Sequence, residues 1–282
     1  MASIPVRKLG RTGVEVSALA LGGVTYNLLD DDAQAAAVIH RALDLGITYI
    51  DTAHGYKDSE RKIGLVMRER RRGVFLATKS TSRDYDGMSA DIEESLRRLQ
   101  TDQLDCVQLH DFKDEADLRA VTARDGALRA IEKFRVGGAV RFIGITGHRD
   151  PVVLAKALRE YDFDTLLCAL GAVHEAVRPF HETVMAAAKD RNVGVIGMKV
   201  MAYAFLKDHA AAALRFVMGL DGVTAAVVGV DNIEQVEANV KVAREFAPLS
   251  TLERDTLLAE ARRIYESRKS EAWFVKLPGQ SV

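Results

Sequence analysis

Cysteine is scarce: Cys106 and Cys168 are the only two in 282 residues. Both lie in apolar, strand-like runs, so they read as buried free thiols rather than a disulfide framework, and neither has metal-ligand spacing. That usage points to a cytoplasmic protein. Charge bias is also missing. The formal net charge is −1, so nothing here indicates a nucleic-acid partner, which usually needs a basic face. The apolar runs stop well short of a membrane span, and the opening MASIPVRKLG has no signal-peptide stretch. No linker rich in proline, glycine or serine interrupts the chain, so residues 1–282 read as a single domain. Doubly wound α/β folds usually carry a glycine-rich turn between the first strand and helix, and G-x-G-x-x-G does not occur there.

What is present is apolar material in a repeating order. Hydrophobic residues make up 48% of the chain, ample for a core. Residues 6–16 read as a small hairpin around Gly10 to Gly13. Strands are then predicted at 18–23, 48–52, 74–80, 104–111, 141–146, 164–170, 193–200 and 223–230. Helices follow them at 33–46, 59–70, 89–100, 126–138, 151–161, 179–192, 209–220 and 232–246. Asp30 to Asp32 offer caps for the first helix and Ser59 for the second. Eight strand–helix units at a spacing of roughly 25 to 35 residues predict a (β/α)8 TIM barrel. The N-terminal β-hairpin and an extra C-terminal helix at 252–268 complete it.

Three consecutive predicted strands each end on a titratable group. The second reaches Asp51, with Tyr56 five residues on; VFLATK reaches Lys79; LDCVQLH reaches His110. In a parallel barrel the carboxyl ends of the strands carry the chemistry, so these four side chains are expected to converge. Strand alternation then turns Tyr49 inward with Asp51, Phe75 and Ala77 with Lys79, and Cys106 and Gln108 with His110. A structural ion pair would account for Asp51 and Lys79, but not for Tyr56 and His110.

The segment DTAHGYKDSE, followed by Ile63 and Gly64, resembles the D-T-A-x-x-Y-x-x-S-E-x-x-I-G stretch of the aldo-keto reductases. LATKS, QLHD, GITGH, GVIGMK and VVGVDNIEQVEANV follow in that family's order. RKLGRTGVEVSALALGG resembles its N-terminal hairpin and first strand. The resemblance covers nearly the whole chain. It implies a reductase in which hydride from a nicotinamide adds to an aldehyde or ketone, or the reverse dehydrogenation of an alcohol or sugar. Tyr56 would be the general acid. A free tyrosine titrates near ~10, and a neighbouring Lys79 ammonium would favour tyrosinate. Asp51 would hold Lys79, and His110 would donate a hydrogen bond to the substrate oxygen.

The resemblance also implies cofactor positions: Gly22, Gly23, Asp51, Thr146, Gly147, Met198, Lys199, Gly229, Gln235 and Asn239. Several depart from the family habit. Thr146 and Gly147 stand where Ser-Asn is frequent, Leu167 or Cys168 where a glutamine is, and Met198 where a stacking tyrosine is. Lys199 would meet the pyrophosphate or end a solvated strand. Gly229, Asn232 and Gln235 occupy the places where a cation usually clamps the 2′-phosphate of NADP, and Asp231 adds an acid. Lys241 and Arg244 further along read as a solvated helix face; the alternative reading turns them inward. The cofactor expected from the family is NADP(H), with NAD(H) usable or preferred. His54 and His148 are candidates to line the pocket, and the other histidines read as ordinary loop or helix residues. Tyr26, Tyr85 and Phe112 are further candidates for its walls, with Trp273 and Phe274 in the tail. The partner is a small carbonyl, alcohol or sugar, acted on by a monomer or weak homo-oligomer. The competing readings are a nicotinamide-binding barrel serving as a sensor or regulatory subunit, and a barrel of unrelated chemistry.

Overall fold

A computed structural model describes residues 2–178 and 180–271. Strands β1 (Val6–Lys8) and β2 (Glu15–Ser17) pair antiparallel. The next strands are β3 (Leu19–Gly22), β4 (Tyr49–Asp51), β5 (Phe75–Ser80) and β6 (Leu104–Leu109). They are followed by β7 (Val140–Gly147), β8 (Thr165–Ala169), β9 (Gly194–Met198) and β10 (Val223–Gly229). Each pairs in parallel with its sequence neighbour, and β10 closes on β3. This is the predicted (β/α)8 barrel with its hairpin.

Two apolar layers hold it together. The inner one is the barrel lumen, filled by Ala20, Tyr49, Phe75, Ala77, Cys106, Leu167, Ile196, Ala225 and Val227. Tyr49, Phe75, Ala77 and Cys106 are the ones that alternation turned inward, and the residues between them on the strands (Ile50, Leu76, Val107), like Leu21 on β3, pack under the helices. The hairpin plugs the amino-terminal end of the lumen with Leu9 and Val16. Gly10 is required there, since a Cβ on it would come within 2.2 Å of the Gly194 backbone nitrogen. Arg11 N donates to Asn192 O at 2.5 Å, and the Arg7 guanidinium donates to Met218 O and Val223 O. The lumen is therefore closed at the floor and open only at the carboxyl ends of the strands.

The observed α-helices follow the expected ones, trimmed or shifted by a few residues, and among the described residues the structure adds two more. Glu115–Thr122 lies in the polar segment after β6, and Ala172–Val177 follows β8. Ser59 is the first helical residue of Ser59–Arg70 rather than its cap, a place taken by Asp58. Its hydroxyl is instead spent on Gly23 O and Thr52. Asp31 does cap the first helix. The C-terminal helix Thr251–Arg268 opens with a Ser250–Glu253 capping box. No described helix is long and apolar enough to cross a membrane, and both cysteines are free and buried.

Candidate active site

Asp51 ends β4, and the chain beyond it is tied to β5: Thr52 N donates to Ala77 O at 2.9 Å and His54 N to Lys79 O at 2.8 Å. Two tight turns follow, Tyr56 N to Ala53 O and Ser59 N to Tyr56 O. They return the half-buried Tyr56 to the barrel mouth. Gly23 lies under this loop because a Cβ there would meet Ser59 Oγ at 2.7 Å and Thr52 Oγ1 at 3.0 Å.

The four predicted side chains do converge. Lys79 is 2% exposed. Its ammonium donates to Asp51 Oδ2 at 2.7 Å and to Thr52 O at 2.6 Å, and lies 4.7 Å from the centre of the Tyr56 ring. Burial lowers its pKa, but Asp51 and Tyr56 outweigh that and raise it, so the ammonium stays charged. His110, one residue past β6, meets Tyr56 edge to face at 5.6 Å. Burial, and then the Lys79 charge, push its pKa down to about 3, so the imidazole is neutral with one N–H to donate. Arg83 grips His110 O at 2.7 Å and pairs with Asp117. A buried lysine is tolerated only with such pairing, and here it leaves a cation beside a phenol and an uncharged donor opposite.

Further groups surround this centre. Gln108 pairs in register with Lys79 and donates to the other oxygen of Asp51 at 2.8 Å. Its inward parity with Lys79 and His110 was the available signal. Behind the loop, the fully buried Glu60 accepts from Thr78 at 2.6 Å, and His54 sits between Glu60 and Asp91. His54 thus braces the loop from behind instead of lining the pocket. His148 pairs with Asp111 at 2.9 Å, beside His110. Asp111 has φ +50; burial opposes its charge, but His148, Arg149 and Lys113 hold its carboxyl well below the usual range. His174 is buried in the helix after β8, with Nδ1 unpartnered. Tyr26 and Phe112 are fully buried and pack in the outer layer, so they do not line the mouth. Tyr85 also packs in that layer, under Lys133. Trp273 and Phe274 lie outside the described residues.

The expected cofactor positions ring the same mouth. Gly22 and Gly229 face each other across the β3–β10 pair, which leaves that side of the rim without side chains. Thr146 is buried with its hydroxyl unpartnered. A Cβ on Gly147 would meet Leu154 and Phe112 O, so it faces the helix layer and offers only backbone. Met198 borders the lumen cluster. Lys199 has φ +63, and its ammonium reaches Tyr203 Oη at 2.9 Å. The three residues Ala202, Tyr203 and Ala204 that follow are all left-handed. Gln235 lies in the first turn of Ile233–Arg244, where its side-chain oxygen accepts from Asp231 N; Asn239 is one turn on, half-buried. Arg244 does not turn toward the mouth: it sits at the far end of that helix and donates to Leu45 O. A cleft of about 410 Å³ at the floor is lined by Arg71, Asp105 and Arg141. Its buried Asp105 is neutralised by both arginines, an arrangement that ties strand starts together far from the four converging groups.

Comparison with known proteins agrees with this geometry. Residues 18–210 match the sequence profile of the Aldo/keto reductase family. L-galactose dehydrogenase of Arabidopsis thaliana is 27% identical over 97% of this chain and 98% of its own. D-threo-aldose 1-dehydrogenase of a Pseudomonas species is 29% identical over 67% of each. Among solved structures, an aldo/keto reductase from Klebsiella pneumoniae in complex with NADP and acetate superposes with TM-score 0.73 and 25% identity, covering 92% of this chain and 95% of that one. The chain belongs to the aldo/keto reductase family of oxidoreductases.

Proposed function

We propose that this oxidoreductase interconverts a small aldehyde or ketone, of the sugar type, with its alcohol, using Tyr56 as general acid and base. The observation that carries the reading is the placement of the Tyr56 ring, with the Lys79 ammonium 4.7 Å from its centre and the neutral His110 at its edge. Tyr56 gives its proton to the carbonyl oxygen in reduction and takes it back in oxidation. Lys79 stabilises the negative charge that develops on the phenol as the proton leaves, and Asp51 keeps that ammonium in place. His110 donates to the same substrate oxygen and aims it at Tyr56. Sugar-type substrates are favoured by the names of the two dehydrogenase relatives.

A bound nicotinamide would supply or accept the hydride. The residues present suit one. The side-chain-free rim at Gly22 and Gly229 admits a close backbone approach, and the unpartnered Thr146 hydroxyl can serve a carboxamide. Met198 offers a polarisable surface to a ring, and Lys199 a charge to a pyrophosphate. At the adenosine end the residues favour NAD(H) at least as much as NADP(H). A 2′-phosphate is normally met by an arginine or lysine, whereas the first turn of Ile233–Arg244 carries Glu234 and no cation. Asp231, Asn232 and Gln235 close on one another as a helix cap.

Tyr56→Phe keeps the ring and removes the proton. The expected result is a loss of at least ~10²-fold in kcat on a substrate that wild type turns over, with the cofactor dissociation constant nearly unchanged. Wild-type turnover by that variant would overturn the assignment. Fluorescence titration of NADPH and NADH tests the cofactor reading separately: a preference for NADPH above ~10²-fold would refute it.

A further inference from the structure

The mechanism above uses one oxygen of Asp51, and the other is held by Gln108. Asp51 is 5% exposed and Gln108 is 0% exposed. The amide donates at 2.8 Å to Oδ1, while Lys79 takes Oδ2 at 2.7 Å. A carboxylate only accepts, so the amide nitrogen must be the end that faces it. The opposite end, Oε1, is buried without a partner. Burying a half-satisfied amide is unfavourable compared with the leucine or methionine that the same space would take. The neighbouring strand is also arranged for it. Gly144 pairs with Gln108 in register, and a Cβ on Gly144 would come within 2.8 Å of Gln108 Cγ.

We propose that Gln108 is a positioning residue of the reaction: it fixes the Asp51 carboxylate through the oxygen that Lys79 leaves free, and so sets where the ammonium stands against Tyr56. The terminal torsion of an aspartate is broad and roughly two-fold. Without a second anchor the carboxylate turns to share both oxygens with Lys79 and draws the ammonium off the phenol. This inference rests on the acid–base reading of Tyr56.

Two substitutions separate positioning from packing. Gln108→Met fills the space and removes the donor. The expected outcome is a kcat lower by ~10- to ~10²-fold, the scale of a misplaced catalytic group, with the cofactor dissociation constant unchanged and the pH profile of oxidation displaced. Gln108→Glu places a carboxyl that donates to Asp51 only while protonated. Its activity should approach wild type at the acid end and fall as pH rises and the introduced carboxyl ionises against Asp51, a limb that wild type lacks. That profile is read within one protein, so it decides the matter even if Gln108→Met does not fold. Wild-type kcat and pH profile in Gln108→Met, or no new limb in Gln108→Glu, would overturn the role. If Tyr56→Phe is inactive while Gln108→Met is fully active, only the Gln108 assignment fails. If Tyr56→Phe turns over normally, the acid–base reading fails and this inference falls with it.

Discussion

The floor and the mouth of this barrel are built from the same eight strands and differ in what they tolerate. On the floor, turns that need a left-handed residue use glycine, as at Gly46 and Gly222, or a residue just past a helix end, as at Gln100 and Asn192. Leu9 and Val16 close the lumen with apolar contact. At the mouth, left-handed backbone falls on Lys57, Asp111, Lys199, Ala202, Tyr203 and Ala204, each at a conformation costing on the order of 1–2 kcal/mol for an L-residue. Buried polar atoms without partners gather there too, on Gln108, Thr146, Arg149 and His174. Tyr49 Oη inside the lumen, Tyr26 Oη in the outer layer and Arg244 Nε at the far end of its helix are exceptions. The floor supplies stability, and the mouth spends some of it on holding side chains where packing alone would not put them.

That contrast can be broken at either end. The largest change in stability is expected on the floor. Leu9→Ala removes a fully buried plug and should cost about 2–5 kcal/mol, seen as a lower midpoint in denaturant. The kcat per folded molecule should barely move. A matching fall in kcat would show that the two ends are coupled.

A smaller and pH-dependent effect is expected at the mouth. Burial lowers the His174 pKa from 6.5 to about 3, with Lys199 and His148 adding to it. The unfolded chain takes up a proton as pH falls through about 6.5, and the folded chain does not until about 3. Stability therefore declines across that window as the solution is acidified. His174→Leu should flatten the decline between pH 7 and pH 4 in denaturation experiments, leaving the share due to His110, whose pKa is also about 3. An unaltered slope would mean that His174 is not buried neutral.

The smallest effect concerns strain. Ala204 is exposed at φ +71, so Ala204→Gly should stabilise by up to ~1 kcal/mol, the left-handed penalty less glycine's entropy. Thermal unfolding would show a midpoint higher by up to about 2 °C. A drop would place the strain elsewhere in the loop.

The barrel and the meeting of four side chains at its mouth are legible in the sequence. Asp51, Tyr56, Lys79 and His110 could be placed together because a parallel barrel brings successive strand ends to one face, and the alternation of Phe75, Ala77 and Lys79 set the inward side. The helix at 172–177 escaped notice because six residues carry too little periodicity. Ser59 misled because its hydroxyl had a tertiary partner in Gly23 that no local pattern announces. Gln108 was seen to face inward, but its bond to Asp51 runs between side chains of non-adjacent strands, β4 and β6, and depends on the register of both with β5 between them. The Arg244 side chain was followed to Leu45 only in three dimensions.

The hairpin at the floor also bears on how the molecule is made. Its residues 7 to 11 come early in the chain, yet they bond to Asn192, Met218 and Val223, and β3 closes on β10 near residue 226. A chain emerging from the ribosome at ~5–20 residues per second therefore exposes its plug for ten seconds or more before anything can receive it. Sequence separations above 200 residues make this closure slow even in the complete chain. The floor is thus sealed by a segment made well before its partners, and until they are made Leu9 and Val16 lack the lumen contacts that cover them.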